Sequence, residues 1–436
     1  MNKEFLDYMH NLLNEEYETY EELLKEKAFS GIRINTTRIR EEDFLKNTNL
    51  KLEKSPFAKN GYYIQKEEGL GYSDEHMLNL FYIQEPSTSS AVTILNPTKH
   101  SKVLDICASP GSKSTQILEM LDNTGLLVVN ETINNRVNAL KENIKKYAHQ
   151  NAVIINDYTS NIAKELEAVF DYVLCDAPCS GEGMFRKSNE AIKQHSMAYV
   201  QKCRELQEEI IENAWKCLKE GGYLVYSTCT LNKIENEDLI EYFLDKHPEA
   251  ELVPIEENFG RKSFKIGDYG YALRIYPMDK GEGHFVAKLK KKEGYINELK
   301  VLKNTNIDPL AKSFIKDMIE EDNYYYFQKD NKVYMGINPF YDFNLHLIQN
   351  QTLVGEVKKN RFEPSHEFLS SNYLKYKNII DIDDNDLKAY YHGDILNKIY
   401  PKGWYVLRYN GIIVGGVKSY GSCLKNHYPK KLRKNY

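Results

Sequence analysis

No run of apolar residues approaches the roughly 20 that a membrane-crossing helix needs. The opening stretch, MNKEFLDYMHNLLNEEY, is too charged for a secretory signal. These two absences predict a cytoplasmic protein with no membrane partner. Cysteine is scarce, and the count of seven is odd, which argues against a disulfide framework. The close pair Cys175 and Cys179 is followed by no second pair and no spaced histidines, so no metal site is expected. There is no GxGxxG turn and no phosphate loop ending in Gly-Lys-Ser/Thr. Internal repeats and low-complexity tracts are absent too. Neither sign of charge dominates: 58 Lys and Arg stand against 63 Asp and Glu, a formal net charge of −5. The whole molecule is therefore no electrostatic attractor for nucleic acid.

What is present is ordinary globular material, 42% hydrophobic and 28% charged over 436 residues. That length suggests about three domains. Positive charge is gathered locally. Lys418 to Tyr436 holds six Lys or Arg and no acid, Lys288 to Lys292 holds four lysines, and Arg33, Arg38 and Arg40 form a third group. Such patches fit a nucleic-acid partner, and equally a solvated surface.

Residues 1–28 read as one Glu-rich helix with Leu12, Leu13, Leu23 and Leu24 on its apolar side. GIRINTTRI (31–39) and GYYIQ (61–65) read as strands of a small leading domain. From Pro86 onward, apolar strands alternate with amphipathic helices. Strands are expected at 102–107, 125–131, 152–157, 171–176 and 221–229, with helices at 112–121, 134–147, 161–169, about 196–219 and 235–247. That rhythm predicts a parallel sheet covered on both faces. Strands at 271–277 and 284–290 flank a short turn and should pair antiparallel. Beyond Lys292 come short tyrosine-rich runs, then GWYVLRY and IIVGGVK around Asn410–Gly411, a strong hairpin signal. The expected division is 1–85, 86–292, 293–375 and 376–436.

The first strand of the series empties into ASPGSKSTQ, a small-residue turn opening a helix, where backbone N–H groups can meet a ligand. The next two strands end in Glu131 and Asp157. Singly, each acid could be a helix cap. Together, at successive strand ends, they favour a nucleoside site, with Glu131 on the ribose and Asp157 on an adenine amino group. Asp176, Pro178 and Cys179 follow the fourth strand, and Thr228 and Cys229 the fifth. Cysteine is often a small core hydrophobe, which suits Cys203, Cys217 and Cys175. It suits Cys179 poorly, since APCSGEG is a loop.

LDICASPGSKSTQ, NETINNR, DAPCSGEGMFRK and YSTCTLNKIENE resemble the ordered motifs of the RNA cytosine-5 methyltransferase family called Fmu/Sun/NOP. YIQEPSTSSA and GEGHFVAKLKK resemble its flanking segments, and LKNHYPKKLR the ending of its RsmF-type bacterial branch, a PUA-like RNA-binding module. The resemblance implies a Rossmann-like S-adenosylmethionine methyltransferase domain, a small N-terminal α+β domain and C-terminal β-rich PUA-like modules. It assigns the cofactor to Cys107, Ala108, Ser109, Pro110, Gly111, Ser112, Lys113, Glu131, Asp157 and Asp176. Ser109 and Ser112 stand where Ala and Gly are common in the family. Cys229 is implied as the nucleophile on cytosine carbon 6 and Cys179 as the residue for product release. Asp176 is implied as a hydrogen-bond partner of the pyrimidine, and Lys113 as a neighbour of the methionine carboxylate or substrate. RNA contacts are expected at Lys425, His427, Lys430, Lys431 and Arg433. The implied substrate is small-subunit ribosomal RNA, with transfer RNA or a non-catalytic assembly role as rivals. A monomer is expected.

Overall fold

The computed structural model describes residues 3–65, 69–302, 306–320 and 323–433. Four sheets carry the architecture. The second is the largest, with ten strands. Its parallel centre runs Ala152–Ile155, Leu126–Asn130, Lys102–Asp105, Phe170–Asp176, Leu218–Thr228. These strands are continuous apolar runs because both faces are covered: Ser112–Leu121 and Asn134–Tyr147 lie on one side, Met197–Cys217 and Glu237–Lys246 on the other. Going out from Lys102–Asp105, the chain order rises in both directions, so the sheet is doubly wound. Its switch point falls between Lys102–Asp105 and Phe170–Asp176, where ligands bind beyond the strand carboxyl ends.

His284–Lys291 pairs antiparallel with Leu218–Thr228, and Leu273–Ile275 antiparallel with it in turn. On the opposite edge, Leu347–Asn350 adds antiparallel to Ala152–Ile155. The sequence gives no sign of this excursion, because a four-residue edge strand has too little periodicity to announce its partner.

Gly31–Ile34, Leu52–Lys54, Gly61–Ile64 and Phe81–Gln84 form an N-terminal sheet. Ile379–Asp381, Gly403–Tyr409, Ile412–Ser419 and Leu424–Asn426 form the last one, with the expected hairpin at Asn410–Gly411. These two sheets share one apolar cluster, with Ile32, Phe44 and Phe81 beside Tyr390, Leu407 and Val417. Between them in sequence lies the sheet of Tyr325–Lys329, Lys332–Gly336, Thr352–Lys358 and Arg361–Pro364.

Several expectations change. The opening segment is two helices, Lys3–Leu13 and Tyr17–Leu23, and its buried face is Phe5, Met9, Leu13 and Tyr20 rather than a leucine stripe. Aromatic bulk won the core positions. The first strand stops at Ile34, where the Asn35 side chain turns back to accept from Thr37 N. The helix expected at 161–169 is Thr159–Glu165. Two of the three basic groups are structural. Arg33 is fully buried, bonding Glu119, Thr115 Oγ1 at 2.8 Å and Ser112 O at 3.1 Å. Arg38 bonds Asn372, Ile413 O and Lys146 O. Lys291 donates to Trp215 O and Leu218 O, and Lys288 to Ile94 O. Buried cations survive only where fixed acceptors replace water. Among the described residues no helix is long and apolar enough to cross a membrane.

Candidate active site

The turn after Lys102–Asp105 is held by its neighbours. Ala108 N donates to Asn130 O at 2.8 Å, and the Asn130 side chain bonds Ile106 O, Asp157 O and Asp157 N. One Asn thus ties three strand ends together. The Ser109–Pro110 peptide is cis. Gly111 has φ 110°, and a β-carbon there would press on Leu140 at 3.3 Å and Asn143 at 3.4 Å. Glycine is required on both counts. The helix Ser112–Leu121 then starts with Lys113 facing inward.

Lys113 Nζ donates to Asp176 Oδ2 at 2.8 Å, and Ser227 Oγ donates to Asp176 Oδ1 at 2.7 Å. Burial works against the Lys113 charge, but Asp176 beside it raises its pKa above the ordinary value. Behind the pair lies Asp105, 1% exposed, with Oδ2 accepting from Ser114 Oγ at 2.6 Å and Oδ1 without a partner. Burial pushes its pKa up to about 7.

The strands ending in Asp176 and Thr228 are neighbours in parallel register, Asp176 opposite Ser227. The following loops therefore rise side by side, and Cys179 Sγ lies 3.3 Å from Cys229 Sγ. Both thiols are partly exposed. The Cys179 hydrogen bond lowers the Cys229 pKa; burial and Asp176 oppose this, and Lys113 assists. The same bond and burial raise the Cys179 thiol. These opposite directions favour Cys229 as the sulfur that loses a proton first.

Buried carboxylates fix both loops. Glu182 Oε2 accepts from Leu231 N and Asn232 N, each at 2.8 Å, and from Thr230 Oγ1 at 2.9 Å; Oε1 meets His195 Nε2 at 2.9 Å. Burial raises its pKa, but these bonds hold it below the ordinary carboxylate value. Glu235 accepts from Ser180 N, Gln207 and Asn232. Gly183 N donates to Cys229 O, and a β-carbon on Gly183 would lie 2.5 Å from Gly283 O. A cavity of about 800 Å³ lies elsewhere, lined by Tyr72, Lys146, His366, Tyr391 and Arg433. Chemistry, not volume, marks the thiol pair as the candidate site.

Residues 92–290 match the 16S rRNA methyltransferase RsmB/F family, residues 1–86 the N-terminal domain of 16S rRNA methyltransferase RsmF, and residues 377–434 the RsmF PUA domain. Over 435 residues the chain is 32% identical to the ribosomal RNA small subunit methyltransferase F of Shewanella piezotolerans, covering 93% of this chain and 91% of that one. The chain belongs to the RsmF family of 16S ribosomal RNA methyltransferases. The protein of that name from Shewanella oneidensis is 33% identical, with 93% and 91% coverage. A solved methyltransferase homolog from Pyrococcus horikoshii aligns with TM-score 0.58 at 29% identity, covering 67% of this chain and 95% of that one. The fold expected from sequence is the one found, a Rossmann-like methyltransferase domain between an N-terminal RsmF domain and a PUA domain. The cofactor of this family is S-adenosylmethionine, and the substrate is RNA.

The RsmF-family fold brings Cys107 to Lys113, Asp176, Cys179 and Cys229 to one edge. The small-residue turn, with Gly111 in a left-handed conformation, and the unpartnered Asp105 oxygen suit a nucleoside-bearing cofactor. Glu131 ends its strand nearby, accepting from Ile133 N and facing Arg136 at 3.4 Å. Asp157 is more committed: Oδ1 accepts from Tyr158 N and Asn161, Oδ2 from His346 N.

The tail is not a loose basic arm. Lys431 bonds Glu142, and Arg433 donates to Tyr428 O. Tyr428 is buried against Tyr390 and Tyr391, so it is core and not a stacking platform. Lys425 and Lys430 are exposed, and His427 packs on Trp404 at 4.4 Å between ring centres. Lys434 lies outside the described residues. Sequence reasoning missed Asp105, Glu182 and Ser227. Asp105 had one signal, an acid inside an apolar strand. The others gave none, since their roles depend on partners far away in the chain.

Proposed function

We propose that this RsmF-family chain forms 5-methylcytosine in 16S ribosomal RNA through a covalent bond between Cys229 and the base. The supporting observation is the 3.3 Å approach of Cys229 to Cys179 beside the Lys113–Asp176 pair. Carbon 5 of cytosine is too weak a nucleophile to accept a methyl group unaided. The Cys229 thiolate adds to carbon 6, forming a C–S bond and moving electron density onto the ring toward carbon 5. Asp176, fixed by Lys113 and Ser227, hydrogen-bonds the pyrimidine edge. S-adenosylmethionine supplies an electrophilic methyl group. Carbon 5 would take that methyl group as the donor's S–CH3 bond breaks and leaves a neutral thioether; a water then accepts the carbon-5 proton, the C–H electrons return to the ring, and the C–S bond breaks with sulfur leaving as thiolate. Cys179 assists that release, its higher pKa keeping it a thiol beside the departing sulfur.

Cys107 to Lys113, Glu131, Asp157 and Asp176 would line the cofactor. The target cytosine must stand free of a helix to reach both thiols. Lys425, His427, Lys430, Lys431 and Arg433 are proposed to contact RNA phosphates, with 1–85, 86–292, 293–375 and 376–436 as domains of a monomer. The test is adduct capture on a denaturing gel with ribosomal RNA and S-adenosylmethionine. Cys179→Ala accumulates a covalent protein–RNA species and Cys229→Ala abolishes it. Absence of any adduct together with methyl groups elsewhere than carbon 5 would sink the reading.

A further inference from the structure

The ladder between His284–Lys291 and Leu218–Thr228 pairs Phe285 with Thr228. The ladder ends at that pair, so His284 and Cys229 are each the next residue beyond it on their own chain segments. Gly183 abuts both strands at this level, since a β-carbon on it would lie 2.5 Å from Gly283 O and 3.0 Å from Cys229 O. His284 is 5% exposed, and its Nδ1 lies 2.9 Å from Ser87 Oγ. The Ser87 hydroxyl donates its one proton to Glu85 Oε2 at 2.6 Å. Toward the imidazole it can only accept, so Nδ1 carries the ring hydrogen and Nε2 is a bare lone pair. Among the described residues no protein group bonds Nε2, and Nε2 is not one of the sealed polar atoms. Burial, Lys113 and Lys187 keep the ring neutral by lowering its pKa.

Lys187 is the second free group. Its side chain is exposed, and it follows the turn that meets Cys229: Gly183 N donates to Cys229 O at 3.0 Å and Lys187 N to Met184 O at 2.9 Å. Glu85, Glu282, Arg186 and Cys229 all act on its charge. It forms no ion pair among the described residues, whereas neighbouring Arg186 pairs with Glu282 at 3.3 Å.

A pyrimidine bonded through carbon 6 has two ring atoms beside that carbon: carbon 5 and the nitrogen bearing the ribose. Cys179 flanks Cys229 on the Phe170–Asp176 side. Carbon 5 must face the methyl donor, whose turn follows Lys102–Asp105 on the far side of that strand, so the ribose leaves the opposite way, toward His284 and Lys187. We infer that His284 and Lys187 form the ribose–phosphate subsite of the target cytidine: Nε2 accepts the 2′-hydroxyl, and the ammonium pairs with the adjoining phosphodiester. The inference rests on the cytosine-5 reading above. A 2′-hydroxyl is the donor that RNA has and DNA lacks, so His284 makes the site select ribose.

The test uses the full chain on 16S transcripts made with cytidine or with 2′-deoxycytidine, in single-turnover methylation, with S-adenosylmethionine binding as the check of fold. The unaltered chain prefers the cytidine transcript by about tenfold. His284→Phe brings the two within about twofold; should it bind no cofactor, His284→Asn takes its place. Lys187→Met keeps the ribose preference but weakens RNA binding and flattens its dependence on salt by about one phosphate contact, and Lys187→Arg restores both. A His284 variant that keeps the full preference, or a Lys187→Met chain with unchanged salt dependence, overturns the subsite. Analysis of the methylated base separates this from failure of the cytosine-5 reading, which would place the methyl group off carbon 5.

Discussion

The loops carrying Cys179 and Cys229 and the basic stretch from Lys418 to Arg433 spend their polar side chains in different ways. In the loops, buried carboxylates hold backbone amides so that two thiols stay side by side and open. In the basic stretch, Lys431 and Arg433 turn back onto the protein, while Lys425 and Lys430 remain exposed. The lesson is that a run of charge says little about where each charge points, whereas a cysteine at a strand's carboxyl end is constrained by the strand itself.

The contrast can be broken most directly at Cys229. Replacing it with Ala removes the proposed nucleophile, and methyl incorporation into 16S ribosomal RNA should fall by about a thousandfold or more. Asp105 provides the next largest effect. Its folded pKa of about 7 stands above the ordinary 3.8. Stability from this group is complete below about pH 4 and is lost as pH rises through 7, by about 4 kcal/mol in all. Asp105→Asn cannot ionise, so urea midpoints measured from pH 4 to 8 should decline less steeply. Glu182→Ala leaves the amides of Leu231 and Asn232 buried and unpaired. It should cost about 3 kcal/mol of stability by denaturant titration and lower methylation. The smallest effect is expected at the tail. Lys431 and Glu142 are exposed, at 66% and 45%, so Lys431→Ala should shift stability by less than about 0.5 kcal/mol. A large loss there would mean the tail braces the fold as firmly as the carboxylates brace the loops.

Much of the site was legible before folding. KVLD, LLVVN and VLCD are apolar runs between Gly- and helix-forming stretches, and each became a central strand. Their order placed Asp176 beside the turn that leads into Lys113. Arg33 and Lys291 were misread as surface because nothing local distinguishes a solvated cation from one whose acceptors arrive from distant segments. Leu347–Asn350 was missed because four residues carry too little periodicity to announce a partner.

By itself, the sequence determined the alternation of strands and helices and the placement of both cysteines just past strand ends, because burial on two faces and helical periodicity are written over short windows. Only the tertiary structure decided that the two sulfurs stand 3.3 Å apart, that Asp105 is sealed behind Lys113, and that the strand beginning at His284 pairs with the one that ends just before Cys229. Those facts follow from strand register and from hydrogen bonds between groups up to about two hundred residues apart, and register is set by the packing of the whole sheet rather than by any one strand.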